Sequence, residues 1–379
     1  MGLTFNMIAY VGSSSGNAKA IIVNTHESSV VTAEKDGITY NGNWTGVPGE
    51  YKILVPENGT YLVTGTNRGN TATKLVEVTD TTVTLPIANP VLESNAWIDI
   101  SQVSEQGAAE DYWSVGDRKQ IDIIGTCGTL SLNTAYYVYI IGFDHNAEEE
   151  GSGISFGTFK TAVTGGKDVA LTDQYYYNPK SDGTKAFNMN HWGSSAVPYN
   201  TNYGGWEGTD ARYDILGSTD TPPSGYGSTP TTSRVGYDAS ATTATSPVSN
   251  TFMSCLEAPL RSVMKPITKF TDNKGNNGTA IGNVTSSVDY LPLMAEYEVY
   301  GARSTANPYE QTHQKQYSFF SAGNSKLKYR SSDQSSAAAW FLRSPVSNSA
   351  SQFIINREDN TEGAGHSRGS FGLSPVFLV

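Results

Sequence analysis

The sequence predicts an α+β, mostly β protein of two domains, a small β-sandwich followed by a longer mixed domain. Three observations predict it. Residues 18–87 carry six short, alternating apolar runs separated by turn pairs. After residue 89 the patterning changes to a mixture of strand and helix periods. The 379-residue chain holds only 16 % charged residues but 38 Gly and 22 Tyr. Disordered chains are charge-rich and poor in aromatics, so this composition marks a folded chain with many short strands and turns.

The elements follow in order. Residues 1–17 end in a Ser/Gly-rich stretch and read as a flexible lead or attachment segment. The runs AIIV, SVVTA, YKILV, TYLVTGT, KLVEV and TTVTLPI then alternate apolar and polar positions, the period of a half-buried strand. Asp36-Gly37, Asn41-Gly42 and Asn58-Gly59 supply the left-handed backbone that hairpin turns need. Six such strands over 18–88 indicate an immunoglobulin-like β-sandwich. Asn89-Pro90 marks the boundary, and 90–379 forms the second domain.

In the second domain the spacing predicts helices over Ile98–Ala108, Gly205–Leu216, Asn250–Met264 and Pro308–Ala322, with strands over Lys119–Ile124 and Tyr136–Phe143. Phe252, Met253, Leu256, Leu260, Val263 and Met264 supply the apolar stripe of the third helix. Gly217–Pro247 is rich in Ser, Thr, Gly and Pro and reads as a long inserted loop. Only strands and loops follow, ending in Phe371–Val379.

Charge excludes several functions. Lys and Arg number 25 against 36 Asp and Glu, a net charge of −11 with no basic cluster, so neither nucleic acid nor an anionic membrane is an expected partner. No apolar run approaches the ~20 residues that cross a bilayer, and the N-terminus lacks the pattern of a secretory signal. Cys127 and Cys255 form no metal-binding pair; they read as two buried thiols, with a disulfide as the alternative.

Catalytic signals are sparse. Asp144-His145-Asn146 with Glu148, Glu149 and Glu150 offers carboxylates beside an imidazole, enough for a structural cation or acid–base work. Neighbouring residues on a strand face opposite ways, so the acidic run reads more simply as a solvated turn. His191, His313 and His366 share no ligand spacing. No nucleophile elbow, Walker loop or dinucleotide fingerprint occurs.

Several blocks carry a resemblance. They are Asp111–Asp117 (DYWSVGD), Tyr139–His145 (YIIGFDH), Met264–Lys269 (MKPITK), Glu296–Gly301 (EYEVYG), Ala322–Lys328 (AGNSKLK), Ala339-Trp340 with Arg343-Ser344-Pro345, and Ser370–Gly372 with Pro375. In order and spacing the series resembles the C-type-lectin-like variable proteins of phages and prophages of gut bacteria, many diversified by retroelements. It covers about residues 95–379. The resemblance implies a C-type-lectin-like second domain whose last part, about 340–379, varies while its core is kept. It implies a phage-tail receptor-binding protein, assembled in the host cytoplasm and carried on the virion, that contacts a host-surface protein or glycan and other tail proteins. Tail tips are commonly trimeric, so a homotrimer is expected.

Large apolar residues (Trp340, Phe341, Phe353, Ile355, Phe371, Leu373, Phe377) interleave with small polar ones over this last part. By the family pattern the variable, ligand-binding set is Val346, Ser347, Asn348, Ser349, Ser351, Gln352, Asn356, Arg357, Asn360, Ala364, Gly365, His366 and Arg368. Exchangeable side chains belong on loops and outward strand positions of a rigid scaffold, which agrees independently. The chain departs from many members in having no tyrosine after Pro345. The calcium-dependent sugar motifs of lectins are missing too, so sugar binding through calcium is not expected; no metal or other cofactor is assigned. A tail-borne glycan depolymerase, or a purely structural virion component, is the alternative to a receptor-binding protein that is not an enzyme.

Overall fold

The computed structural model describes residues 18–79, 81–127, 130–161, 166–171, 189, 201–209, 211–218, 244–331, 333–367, 369 and 371–379. The fold is mostly β. The chain divides between Asn89 and Pro90 into two units.

The first unit contains seven strands: β1 Lys19–Asn24, β2 Val30–Lys35, β3 Ile38–Trp44, β4 Glu50–Val55, β5 Gly59–Asn67, β6 Asn70–Val78 and β7 Thr81–Thr84. They pair in the order β6-β5-β2-β3-β4-β1-β7, antiparallel except for the parallel pair β1–β7. Six strands are legible in the sequence; β3 is the addition. Its first half pairs β2 and its second half pairs β4, so one strand carries the sheet around the core. Asn41-Gly42, expected as a turn, lies inside β3 where the pairing changes partner. A Cβ at Gly42 would meet Val31 O at 3.1 Å and Ile53 Cγ1 at 3.3 Å, so glycine serves a close strand crossing there. Ile21, Val23, Val31, Ile53, Tyr61 and Val63 fill the core. The alternation in β4, with Tyr51, Ile53 and Val55 buried and Lys52 and Leu54 exposed, is the period-2 signal that predicts the strand.

The second unit opens with α1 Trp97–Glu105 and α2 Ala109–Tyr112, followed by the long hairpin β8 Arg118–Cys127 and β9 Leu130–Phe143. Then come α3 Ala147–Glu150, β10 Ile154–Thr161, β11 Asp168–Ala170, α4 Phe252–Cys255, α5 Ala258–Arg261, β12 Ile267–Asp272, β13 Val284–Asp289, α6 Glu296–Tyr300 and α7 Ser318–Ser321. Last are β14 Lys328–Arg330, β15 Ala337–Ala338, β16 Trp340–Pro345, β17 Gln352–Asn356, β18 Glu362–His366 and β19 Phe377–Leu378. The main sheet runs β15-β14-β11-β10-β9-β8. β19 pairs the first half of β10 and β11 the second, so the chain's last strand lies within this sheet. β12–β13 form a ribbon, and β16-β17-β18 a three-stranded C-terminal sheet. One apolar cluster joins them through Ile141, Ile267, Trp340, Leu342, Ile354 and Val376.

Three expected helices are shorter than their spacing suggests. Asn250–Met264 splits into α4 and α5, because Pro259 fits only the first turn of a new helix and Leu256 is extended before it. Pro308–Ala322 becomes a 3-10 turn at Glu310–Thr312 and the single turn α7. Between them Gln314 is used to donate to Phe270 O at 2.8 Å. Gly205–Leu216 becomes turns and a short π-helical segment, Ala211–Ile215. Gly205 is left-handed at φ +51° and approaches Asp272 so closely that a Cβ would lie 1.9 Å from its carbonyl oxygen. The expected loop Gly217–Pro247 falls mostly outside the described residues. Cys127 and Cys255 are buried free thiols. No helix among the described residues is long and apolar enough to cross a membrane.

Candidate functional site

The C-terminal sheet is built on β17, which is buried on both sides. Phe353 and Ile355 face a small aromatic layer in which Phe341 packs edge-on against Phe353 and Phe371, with centroids 6.4 and 5.1 Å apart. Ile354 turns the other way, into the main core. Across from this strand, β18 places Gly365 opposite Phe353 and Gly363 opposite Ile355. A Cβ at 365 would come within 2.5 Å of Phe371, and one at 363 within 2.1 Å of the Arg357 guanidinium group. These glycines make room for neighbouring side chains.

The hairpin loop between β16 and β17 has a fixed backbone. Buried Asn202 donates from its amide to Ser349 O at 2.8 Å and Gln352 O at 2.9 Å, and from its backbone N–H to Ala350 O at 2.9 Å. Its own Oδ1 accepts from Asn276 N at 2.9 Å. On the other side Ser347 N donates to Thr305 O at 2.8 Å. Thr305 is itself held by buried Glu296, whose carboxylate accepts from the backbone N–H groups of Ser304, Thr305 and Ala306. The loop therefore keeps its path through backbone contacts, while its side chains make few.

Of the expected variable set, Asn348, Arg357, Asn360, Ala364 and His366 are exposed, and Ser347, Ser349, Ser351 and Gln352 are partly exposed. Three positions are corrected. Val346 is buried in the main core. Asn356 is buried and accepts from the Tyr300 hydroxyl at 2.7 Å while donating to Lys326 O and Arg357 O, so it is a polar anchor of the sheet. Gly365 is buried under Phe371. Arg368 lies outside the described residues. Ser347, Asn348, Ser349, Ser351, Gln352 and His366 come together at one end of the sheet, with Gln352 paired to His366. Arg357 and Asn360 belong to the turn at the other end, about 14 Å away by strand rise. Asn360 is left-handed at φ +69°, which favours Asn or Gly there and narrows its exchange.

Behind this rim lies a buried charge network. Lys269 Nζ bonds Glu150 at short range, Glu298 at 2.9 Å and the Tyr317 hydroxyl at 3.0 Å. Arg343 grips Glu298 with two guanidinium nitrogens, donates to Thr271 Oγ1 at 2.7 Å and reaches Leu293 O at 2.8 Å. Burial alone would push the Glu298 carboxyl up, but Arg343 and Lys269 override it and hold it well below its usual range. Burial likewise opposes the Lys269 charge, and Glu150 and Glu298 keep it protonated. His145 stacks on Tyr317 at 3.7 Å; burial, then Lys269, lowers its pKa to about 3, so the ring is neutral.

His145, Glu150 and Glu298 present ligand atoms within 4.8 Å of one another, a spacing that can hold a metal. Lys269 and Arg343 already supply the positive charge these carboxylates require. The arrangement fits an internal ion network better than a metal centre. The acidic run read as a solvated turn is thus only partly one: Glu148 is exposed, but Glu150 points inward. His313 is partly exposed, paired to Glu149 at 3.2 Å and stacked on Phe270; His191 lies outside the described residues.

Sequence reasoning missed Asn202 and Glu296 as supports of the rim. Asn202 stands in an Asn/Gly-rich stretch without periodicity, so no local signal separates it from its neighbours. A domain family of unknown function, DUF6273, matches residues 228–379, less than half of the chain. The match spans the rim together with Lys269, Glu298 and Arg343, and leaves out Glu150, His145 and Asn202. No curated protein and no solved structure matches the chain.

Proposed function

We propose that this chain is a receptor-binding protein of a bacteriophage tail, with a diversified ligand face at the rim of its C-terminal sheet. In this reading the first unit is an immunoglobulin-like sandwich and the second a C-type-lectin-like domain. The protein is assembled in the host cytoplasm, carried on the virion as a homotrimer beside other tail proteins, and binds a host-surface protein or glycan without catalysis. Several weak rim sites acting together then reach useful avidity.

The observation that carries the reading is the division of labour at the hairpin loop. Asn202 and Thr305 hold the backbone of residues 347–352, leaving Ser347, Asn348, Ser351 and Gln352 to change without a change of path. A surface selected for exchange needs that separation. The resemblance of the surrounding blocks to retroelement-diversified proteins supports the same conclusion. The test is to sequence this gene across a phage population, with its flanking DNA. The reading predicts substitutions concentrated at Ser347, Asn348, Ser349, Ser351, Gln352 and His366, constant codons for Trp340, Arg343 and Asn356, and a template repeat beside a reverse-transcriptase gene. Substitutions spread evenly over the domain, with no such repeat, contradict it.

A further inference from the structure

The first unit carries a second candidate site that the rim reading does not use. A cleft of about 360 Å³ opens beside Trp44 at one end of the sandwich, lined by Glu27, Ser28, Trp44, Pro48, Gly49 and Tyr51. Trp44 is 63 % exposed, an uncommon state for the largest apolar side chain, yet its ring is not loose. Its Nε1 donates to Val47 O at 2.8 Å, and Thr45 Oγ1 donates to Glu50 Oε1 at 2.7 Å within the same turn. Both walls of the cleft are set before any ligand arrives. Thr25 N donates to Gly49 O at 2.8 Å, and Gly49, left-handed at φ +70°, approaches so near that a Cβ would meet Thr25 O at 2.4 Å. Buried Asn67 donates to Glu27 O at 2.8 Å and Ser29 Oγ at 3.1 Å, while Ser29 N donates to the Tyr51 hydroxyl at 2.9 Å.

The chemistry of the cleft selects a ligand class. One rigid aromatic face is exposed for stacking. The Glu27 carboxylate is exposed and has no cation paired to it among the described residues, so it can accept hydrogen bonds from hydroxyl groups. Ser28 and Tyr51 complete the lining. An apolar plate flanked by acceptors complements a pyranose ring, which has one C–H face and a rim of hydroxyls. We propose that this cleft binds a neutral hexose or N-acetylhexosamine unit of a glycan. It is independent of the rim, so the two sites stand or fall separately.

The test uses the full-length protein with its six tryptophans replaced by 5-fluorotryptophan. The Trp44 fluorine resonance is assigned as the one lost in W44F. Methyl glycosides of glucose, galactose, mannose and N-acetylglucosamine are titrated to millimolar concentrations, and an oligoproline peptide serves as the rival ligand. The proposal predicts a saturable shift of the Trp44 resonance with at least one sugar while the other fluorine resonances stay in place. E27Q, at an exposed position, should weaken that titration roughly tenfold with an unchanged melting temperature. The shift should persist when Ser347, Ser351 and His366 are replaced, which separates it from the rim. A Trp44 resonance that no sugar moves overturns the proposal. So does one that moves only with the oligoproline, or only with the concentration of the protein itself.

Discussion

The charge network and the rim lie in the same unit and are stabilised in opposite ways. In the network, side chains make the contacts: Glu298 meets Lys269 and Arg343 through its carboxylate and is fully buried with them. At the rim, the contacts to residues 347–352 run through their backbone atoms, and the side chains point outward or lie half-exposed. The first arrangement fixes residue identity; the second fixes only the path of the chain. Their closeness in sequence, with Arg343 and Ser347 four positions apart, shows that one short segment can hold both.

The largest effects are expected in the charge network. Arg343→Met or Lys269→Met leaves a buried carboxylate uncompensated and should cost about 3–5 kcal/mol, read as the urea midpoint or as loss of soluble protein. Trp340→Ala and Phe353→Ala, both at fully buried positions, should cost a similar ~3–5 kcal/mol through the cavities they leave. A loss below about 1 kcal/mol at Arg343 would mean that the network does not fix identity.

Asn202→Ala tests the support under the rim. It removes the side-chain bonds to Ser349 O and Gln352 O and should cost about 1–3 kcal/mol. Hydrogen exchange should quicken over residues 347–352 and stay unchanged in the first unit. Uniform quickening would show that Asn202 supports the whole unit rather than the loop.

A smaller effect is expected from pH at buried Glu310, which accepts from Ser344 Oγ at 2.6 Å and from Asp272 N at 2.9 Å. These two donors are next in sequence to Arg343 and Thr271 of the network. Burial, largest among the causes, pushes the Glu310 carboxyl up from 4.5 to about 7. A raised folded-state pKa contributes stability that is fully present below 4.5 and lost as pH rises through about 7. His145, lowered from 6.5 to about 3, acts in the opposite sense and loses its contribution as pH falls between those values. Comparing E310Q with the unaltered chain cancels the histidine. Burial also raises Glu150 and Glu362 to about 7, so both chains lose stability between about pH 5 and about pH 8, and E310Q should lose less than the unaltered chain in urea unfolding. Parallel pH profiles would contradict a protonated Glu310 in the folded protein.

What the sequence revealed divides along the same line. The alternating runs of the first unit and the apolar interleaving over Trp340–Phe377 are local patterns, and both predict burial directly. The motif blocks carried more than they showed. Lys269, Glu298, Arg343 and His145 all stand inside the sequence blocks singled out above, yet their meeting is long-range, joining positions up to 198 residues apart in numbering from His145 to Arg343. No periodicity records such a meeting. Asn356 and Gly365 read as exposed because a small or polar residue between large apolar ones carries no local sign of burial. Only the hydrogen bond from Tyr300 and the approach of Phe371 reveal their burial. Strand β3 is hidden in the sequence because Gly42, which reads as a turn, serves a strand crossing.

Rim side chains should exchange without disturbing the fold. The most direct measurement replaces Ser347, Asn348, Ser351, Gln352 and His366 together, then records melting temperature and adsorption to a bacterial host on the same preparation. Stability should change by no more than about 0.5 kcal/mol per position, so that the variant stays folded, while host binding is lost or redirected. A variant that unfolds, or one that binds the original host undiminished, contradicts it.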